Sequence, residues 1–163
     1  FNNFVHINWI AIHMPAAKII HCKRNPLDNI LSMQWSNLTA GNNYTSSLED
    51  SAKVLIAQEE AMRKYKQKYA KSIFTFNYDH FVNKPEKNLR KLLKWLGLNY
   101  SSDYLHPEHS LRIVNTASVM QARRSISNKS VGAWKNYQDL LKPAINILKE
   151  GGILDELLNP LYT

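Results

Sequence analysis

The hydrophobic positions of this chain change period several times, and each change marks an element. Phe4, Val5, Ile7, Trp9, Ile10 and Ile12 recur at a roughly helical spacing that stops at Pro15. Lys18–Lys23 is a short β-branched run and predicts a buried parallel strand. Leu27, Ile30, Leu31 and Trp35 return to helical spacing as one apolar stripe, beside a polar face of Asp28, Ser32 and Ser36. Asn25 is placed to cap that helix, with Pro26 at its first position and Asp28 set for a capping-box-like exchange.

Leu38–Ser47, rich in Gly, Asn, Thr and Ser, predicts a loop. Ser46 and Glu49 fit a capping box for a long helix to about Tyr69, with Leu48, Ala52, Leu55, Ile56 and Met62 at core spacing. Ser72–Asn77 reads as a second strand, followed by Tyr78–Val82. A helix then opens near Pro85, with Leu89, Leu92, Leu93 and Leu96 as its stripe and Gly97 as its stop. Residues 98–116 read as mostly irregular, Ala117–Arg124 as a short helix and Ser125–Gly132 as a basic loop. Pro143–Lys149 belongs to a last helix, ended by Gly151 and Gly152.

Strands alternating with long helices predict a helix-rich α/β domain with a parallel sheet. Two parallel strands cannot by themselves bury both faces or close their edges. The pattern is therefore expected to be the later part of an α/β domain whose first strand lies upstream. The start, Phe1–Phe4, has neither an initiator Met nor the pattern of a signal peptide, and reads as the interior of a longer protein.

Charge narrows the partners. The 163 residues carry 21 Lys and Arg against 13 Asp and Glu, a formal net charge of +8. This balance favours nucleotides, nucleic acid, sulfated or phosphorylated substrates, or acidic membranes, without choosing among them. Part of it, such as Arg63–Lys68, is solvated helix surface. One cysteine excludes an internal disulfide and a Cys-rich zinc site, and suits a reducing, cytoplasmic setting. No apolar run reaches membrane-spanning length. His6 and His13, or His106 and His109, lack a carboxylate or Cys that completes a ligand set, so no metal is expected. Lys23 and Arg24 could lower the pKa of Cys22, although a Cys in an apolar strand is usually inert core. Trp9, Trp35, Trp95 and Trp134 read as packing anchors.

The chemistry concentrates at the end of the first strand, which delivers Arg24 to the mouth of a helix. The helix dipole and free backbone N–H groups favour an anion there, and Arg24 adds charge and a bidentate donor. Three segments in this order, Lys18–Ser32, Asn77–Leu98 and Thr116–Tyr137, together resemble the sulfotransferase family. The likeness is to bacterial domains often fused to tetratricopeptide repeats and related to protein-tyrosine sulfotransferases. It implies a partial three-layer parallel-sheet domain of the P-loop-like sulfotransferase type. The implied donor is 3′-phosphoadenosine 5′-phosphosulfate, leaving adenosine 3′,5′-bisphosphate as product, with no metal.

By this resemblance Arg24 and Ser32 bind the 3′-phosphate and Tyr78 lies against the nucleotide. Ser118, Arg123 and Lys129 close over the adenosine and 3′-phosphate. In that loop Arg123 and Arg124 are alternatives, and Lys129 can slide by one. Gly132, Ala133, Trp134 and Lys135 stand as the family's Gly-x-Trp-Lys element. The phosphosulfate-binding strand–loop–helix and the general base are expected upstream of residue 1, so residues 1–163 are expected to be inactive alone. The acceptor is not readable. A different class, a non-catalytic basic module for nucleic acid or a sulfated polymer, is less favoured. Its aromatics fall on apolar stripes instead of interleaving with the cations. An inactive remnant is a third reading.

Overall fold

The computed structural model describes residues 2–36, 42–109 and 124–154. A 3-10 turn, Asn2–His6, leads into α1 (Ile7–His13), and β1 follows at Ile19–Lys23. Asn25 ends the strand and starts α2 (Pro26–Trp35), because its side chain accepts hydrogen bonds from Leu27 N and Asp28 N at 3.0 and 3.2 Å. A 3-10 turn at Asn43–Ser46 precedes α3 (Leu48–Lys68), which returns the chain to β2 (Ile73–Asn77). Then come α4 (Tyr78–Asn83) and α5 (Pro85–Leu96). Gly97 closes α5 with φ of 76°, and Leu98 N donates to Leu93 O at 2.9 Å in a left-handed C-terminal cap. The last described helix is α6 (Gln138–Glu150).

β1 and β2 pair in parallel, Ile19 opposite Ile73 and Lys23 opposite Asn77. Side chains alternate between the two faces. On one face Ile73 joins Ile7 of α1 and Met62 of α3 in a small core, with Ile19 and Tyr65 packed against it. On the other, Phe74 meets Trp95 of α5 at 5.3 Å and Phe76 meets Phe81 of α4 at 5.1 Å. The main core lies beside the sheet, where Leu27, Ile30 and Met33 of α2, Ala52 of α3 and Leu141, Ala144 and Leu148 of α6 interlock. No helix among the described residues is long and apolar enough to cross a membrane.

Several local expectations change. The α3 cap is Ser47 and not Ser46: Ser47 Oγ accepts from Asp50 N at 3.1 Å, while Ser46 Oγ donates to Asn43 O. Helix α6 starts five residues before Pro143, which lies inside it. Trp9 and Trp35 are exposed, so only Trp95 and Trp134 pack as anchors. The predicted short helix lies, except for Arg124, outside the described residues.

β1 is also less covered than a buried strand should be. Ile20 and Cys22 share its open face and are exposed. Desolvation by neighbouring groups still pushes the Cys22 thiol pKa up, the reverse of activation by Lys23 and Arg24. The opposite side of β1 carries the buried polar residue. His21 is 5% exposed, its Nε2 3.5 Å from Glu59 Oε1 of α3, and Lys23 Nζ reaches Glu59 Oε2 at 3.0 Å.

Candidate functional site

The site grows from the junction of β1 and α2. Arg24 leaves the strand end, and residues 28, 31, 32 and 35 recur along one face of α2 below it. That face forms a wall of a cleft of about 750 Å³. Tyr78, Phe81 and Val82 of α4 line a second side, and Arg124–Ser127, Lys129 and Ser130 line a third.

Two carboxylates hold these walls together. Asp79 Oδ2 accepts from Asn25 N at 2.7 Å, which binds the start of α4 to the cap of α2. Burial pushes the Asp79 pKa up, against the Asn25 hydrogen bond and the Arg24 charge. Asp28, 1% exposed, accepts from Gly132 N at 2.7 Å and from Trp134 N at 2.8 Å. It therefore makes no capping-box exchange with Asn25; the Asn25 N–H that such an exchange needs is bound by Asp79.

These bonds also revise how an anion can be held. Pro26 has no N–H, Asn25 Oδ1 occupies those of Leu27 and Asp28, and Asn29 N bonds Asn25 O at 2.9 Å. The first turn of α2 thus offers no free backbone donor. The donors that this end of the cleft leaves open to an anion are side chains, on the helix flank and on the wall opposite.

Arg24 is well prepared for that role. Its Nη2 donates to Ser130 O at 3.1 Å, its guanidinium carbon stands 5.3 Å from the centre of the Tyr78 ring, and its Nε is buried without a partner among the described residues. A buried, unmatched guanidinium donor is costly unless something accepts from it. Lys129 and Arg124 add charge from the third wall. Asp28 has both oxygens, and Asp79 one, turned onto backbone N–H groups, so the cations set the sign of the cleft.

Arg24, Ser32, Tyr78 and Lys129, chosen from sequence, therefore meet in one cleft, and Arg124 lines it too. Ser118 and Arg123 lie outside the described residues. From the sequence Asp28 reads as a cap on the polar face of Ser32 and Ser36 and Asp79 is not singled out, although an acid directly after a Tyr at a strand end was a usable signal. His106 and His109 stack at 5.3 Å, and among the described residues no group of three His, Cys, Asp or Glu side chains is placed to hold a metal.

The family model for the sulfotransferase family matches residues 1–102. The chain belongs to the sulfotransferase family. The match covers β1, α2, β2 and Tyr78, and so includes two walls of the cleft. An uncharacterized protein of Aquifex aeolicus is 31% identical over 153 residues, 92% of this sulfotransferase-family chain. The chain spans about a fifth of that relative's length, 20%.

Proposed function

We propose that this domain binds the 3′-phosphoadenosine part of 3′-phosphoadenosine 5′-phosphosulfate for sulfuryl transfer to a hydroxyl or amine acceptor. Adenosine 3′,5′-bisphosphate is then the product it holds. The observation that carries this reading is the meeting of Arg24, Ser32, Tyr78 and Lys129 in one cleft. The volume is within the range of nucleotide-sized ligand pockets. Arg24 brings its guanidinium charge to the cleft wall, where a phosphate would meet it. Leu31, Phe81 and Val82 offer apolar surface to a base. Ser118 and Arg123 join the same site in this reading, which uses no metal and no nucleic acid.

Sulfuryl transfer also needs a base for the acceptor proton and cations on the sulfuryl and leaving oxygens. We assign these to polypeptide preceding Phe1, forming with residues 1–163 one three-layer, P-loop-like domain, in some settings beside tetratricopeptide repeats. The uncovered side of β1 supports this: Ile20 and Cys22 are exposed, and among the described residues the strand pairs only with β2. Residues 1–163 alone should therefore bind adenosine 3′,5′-bisphosphate yet show no turnover of the donor with hydroxyl or amine acceptors. Turnover by this stretch would overturn the assignment of the chemistry to the preceding polypeptide. Binding of adenosine 3′,5′-bisphosphate by the same preparation would show that it is folded.

A further inference from the structure

The third wall of the cleft, residues 124–133, has little packing of its own. Arg124, Ser125, Ser127 and Lys129 are exposed, and the segment ends in a 3-10 turn, Ala133–Tyr137. The N-cap of that turn is Gly132, which has no side chain to accept from the turn's first N–H groups. Asp28 does this from another element, 104 residues earlier, through Gly132 N and Trp134 N. Gly132 holds φ of 76°, a left-handed conformation at the start of the turn from which Gly132 N and Trp134 N reach the same carboxylate. Trp134 then packs against the main core.

We infer that Asp28 is a positioning residue: its carboxylate latches the Gly132–Trp134 turn and so fixes Lys129 opposite Arg24 and Ser32 across the cleft. The inference rests on the nucleotide reading above and deepens it, because Asp28 touches no ligand atom in this role. It sets the distance between two cationic walls, and hence the selectivity for a 3′-phosphate. Two further ties, Arg24 Nη2 to Ser130 O and Asn128 Nδ2 to Asn83 Oδ1, both at 3.1 Å, hold the segment on either side of Lys129 but do not reach the turn itself.

Asp28→Asn tests this, since an amide nitrogen facing one of the two N–H groups must break that bond while keeping the shape. Amide hydrogen exchange at whichever of Gly132 and Trp134 faces the amide nitrogen should accelerate about tenfold, with Leu148 in α6 unchanged. Affinity for adenosine 3′,5′-bisphosphate should fall about tenfold, that for adenosine 5′-monophosphate less than about twofold, and Lys129→Ala should cost little further in the variant. Unchanged exchange at Gly132 and Trp134 overturns the latch whatever the nucleotide result. An equal loss for both nucleotides, or full additivity with Lys129→Ala, shows a merely structural role and also overturns it. Failure of the unsubstituted protein to bind either nucleotide counts instead against the function proposed above. Should Asp28→Asn not fold, Gly132→Ala loosens the latch from the loop side. Its Cβ meets nothing closer than Lys135 Cε at 3.9 Å, so only the positive φ is penalised. The same pattern of exchange and selectivity is expected, and its absence is equally decisive.

Discussion

Arg24→Ala is expected to weaken binding of adenosine 3′,5′-bisphosphate about tenfold or more. The guanidinium is held between Ser130 O and the Tyr78 ring, with its Nε buried and unmatched. A phosphate there gains charge-assisted hydrogen bonds from a group already oriented. Each such bond contributes about 1.5–3 kcal/mol, so losing one corresponds to roughly ten- to hundredfold in affinity. Arg24→Lys keeps the charge without the planar fork and should fall between the two. Calorimetric titration of the folded variants checks this, and unchanged affinity in Arg24→Ala would remove Arg24 from the site.

The second large effect concerns stability. Glu59 sits against β1, where burial opposes its ionisation, but the His21 ring and the Lys23 ammonium outweigh that and hold its pKa at about 2, below the ordinary 4.5. Burial and the Lys23 charge also lower the Lys66 pKa nearby, while Glu59 partly restores it. Because the folded-state pKa of Glu59 is depressed, its contribution is complete above about 4.5 and is lost as pH falls towards 2. A shift of this size corresponds to about 3 kcal/mol. Glu59→Ala should therefore cost about 3 kcal/mol near neutral pH, leaving Lys23 and the buried His21 without their carboxylate. Urea unfolding against pH checks both statements. The unsubstituted protein should lose stability between about pH 4.5 and 2, and the variant should lose less over that window. Parallel curves would show that the network does not carry this energy.

The elements that rest on short-range chemistry were legible in the sequence. Asn25 with Pro26 marked the start of α2, Gly97 marked the end of α5, and the β-branched run at Ile19–Ile20 marked β1. Boundaries failed where two local signals compete. Ser46 and Ser47 both suit a cap, and only the preceding 3-10 turn, which uses Ser46, leaves the role to Ser47. Pro143–Lys149 reads as part of the last helix, and the packing of Leu141 and Ala144 into the core carries α6 back to Gln138 with Pro143 inside it.

The sequence singled out the cations of the cleft and not the acids that tie its walls. Arg24, Ser32, Tyr78 and Lys129 were reached through the family resemblance, and the structure sets them on one cleft. Asp28 looked like a local cap, but its partners lie at Gly132 and Trp134, and no periodicity reports a bond across 104 residues. Asp79 is similar, since its value lies in reaching Asn25 across 54 residues. Consequently the helix mouth, read as a set of free N–H donors, is closed by its own cap and by Asp79. The donors left open to an anion are side chains on the flank of α2. Trp35 and Cys22 followed apolar patterns yet are exposed, because pattern reports which face a residue shares and not whether anything covers it.

The central claim is that the cleft recognises a 3′-phosphorylated adenosine through Arg24, Ser32 and Lys129. It is tested most directly by titrating the protein calorimetrically with adenosine 3′,5′-bisphosphate and with adenosine 5′-monophosphate under the same salt. Binding of the bisphosphate should be about tenfold tighter or more, corresponding to at least one extra charge-assisted contact. Equal affinities for the two nucleotides would contradict the account. So would tighter binding of single-stranded oligonucleotides with a steep salt dependence, which would make the cleft a general polyanion surface instead.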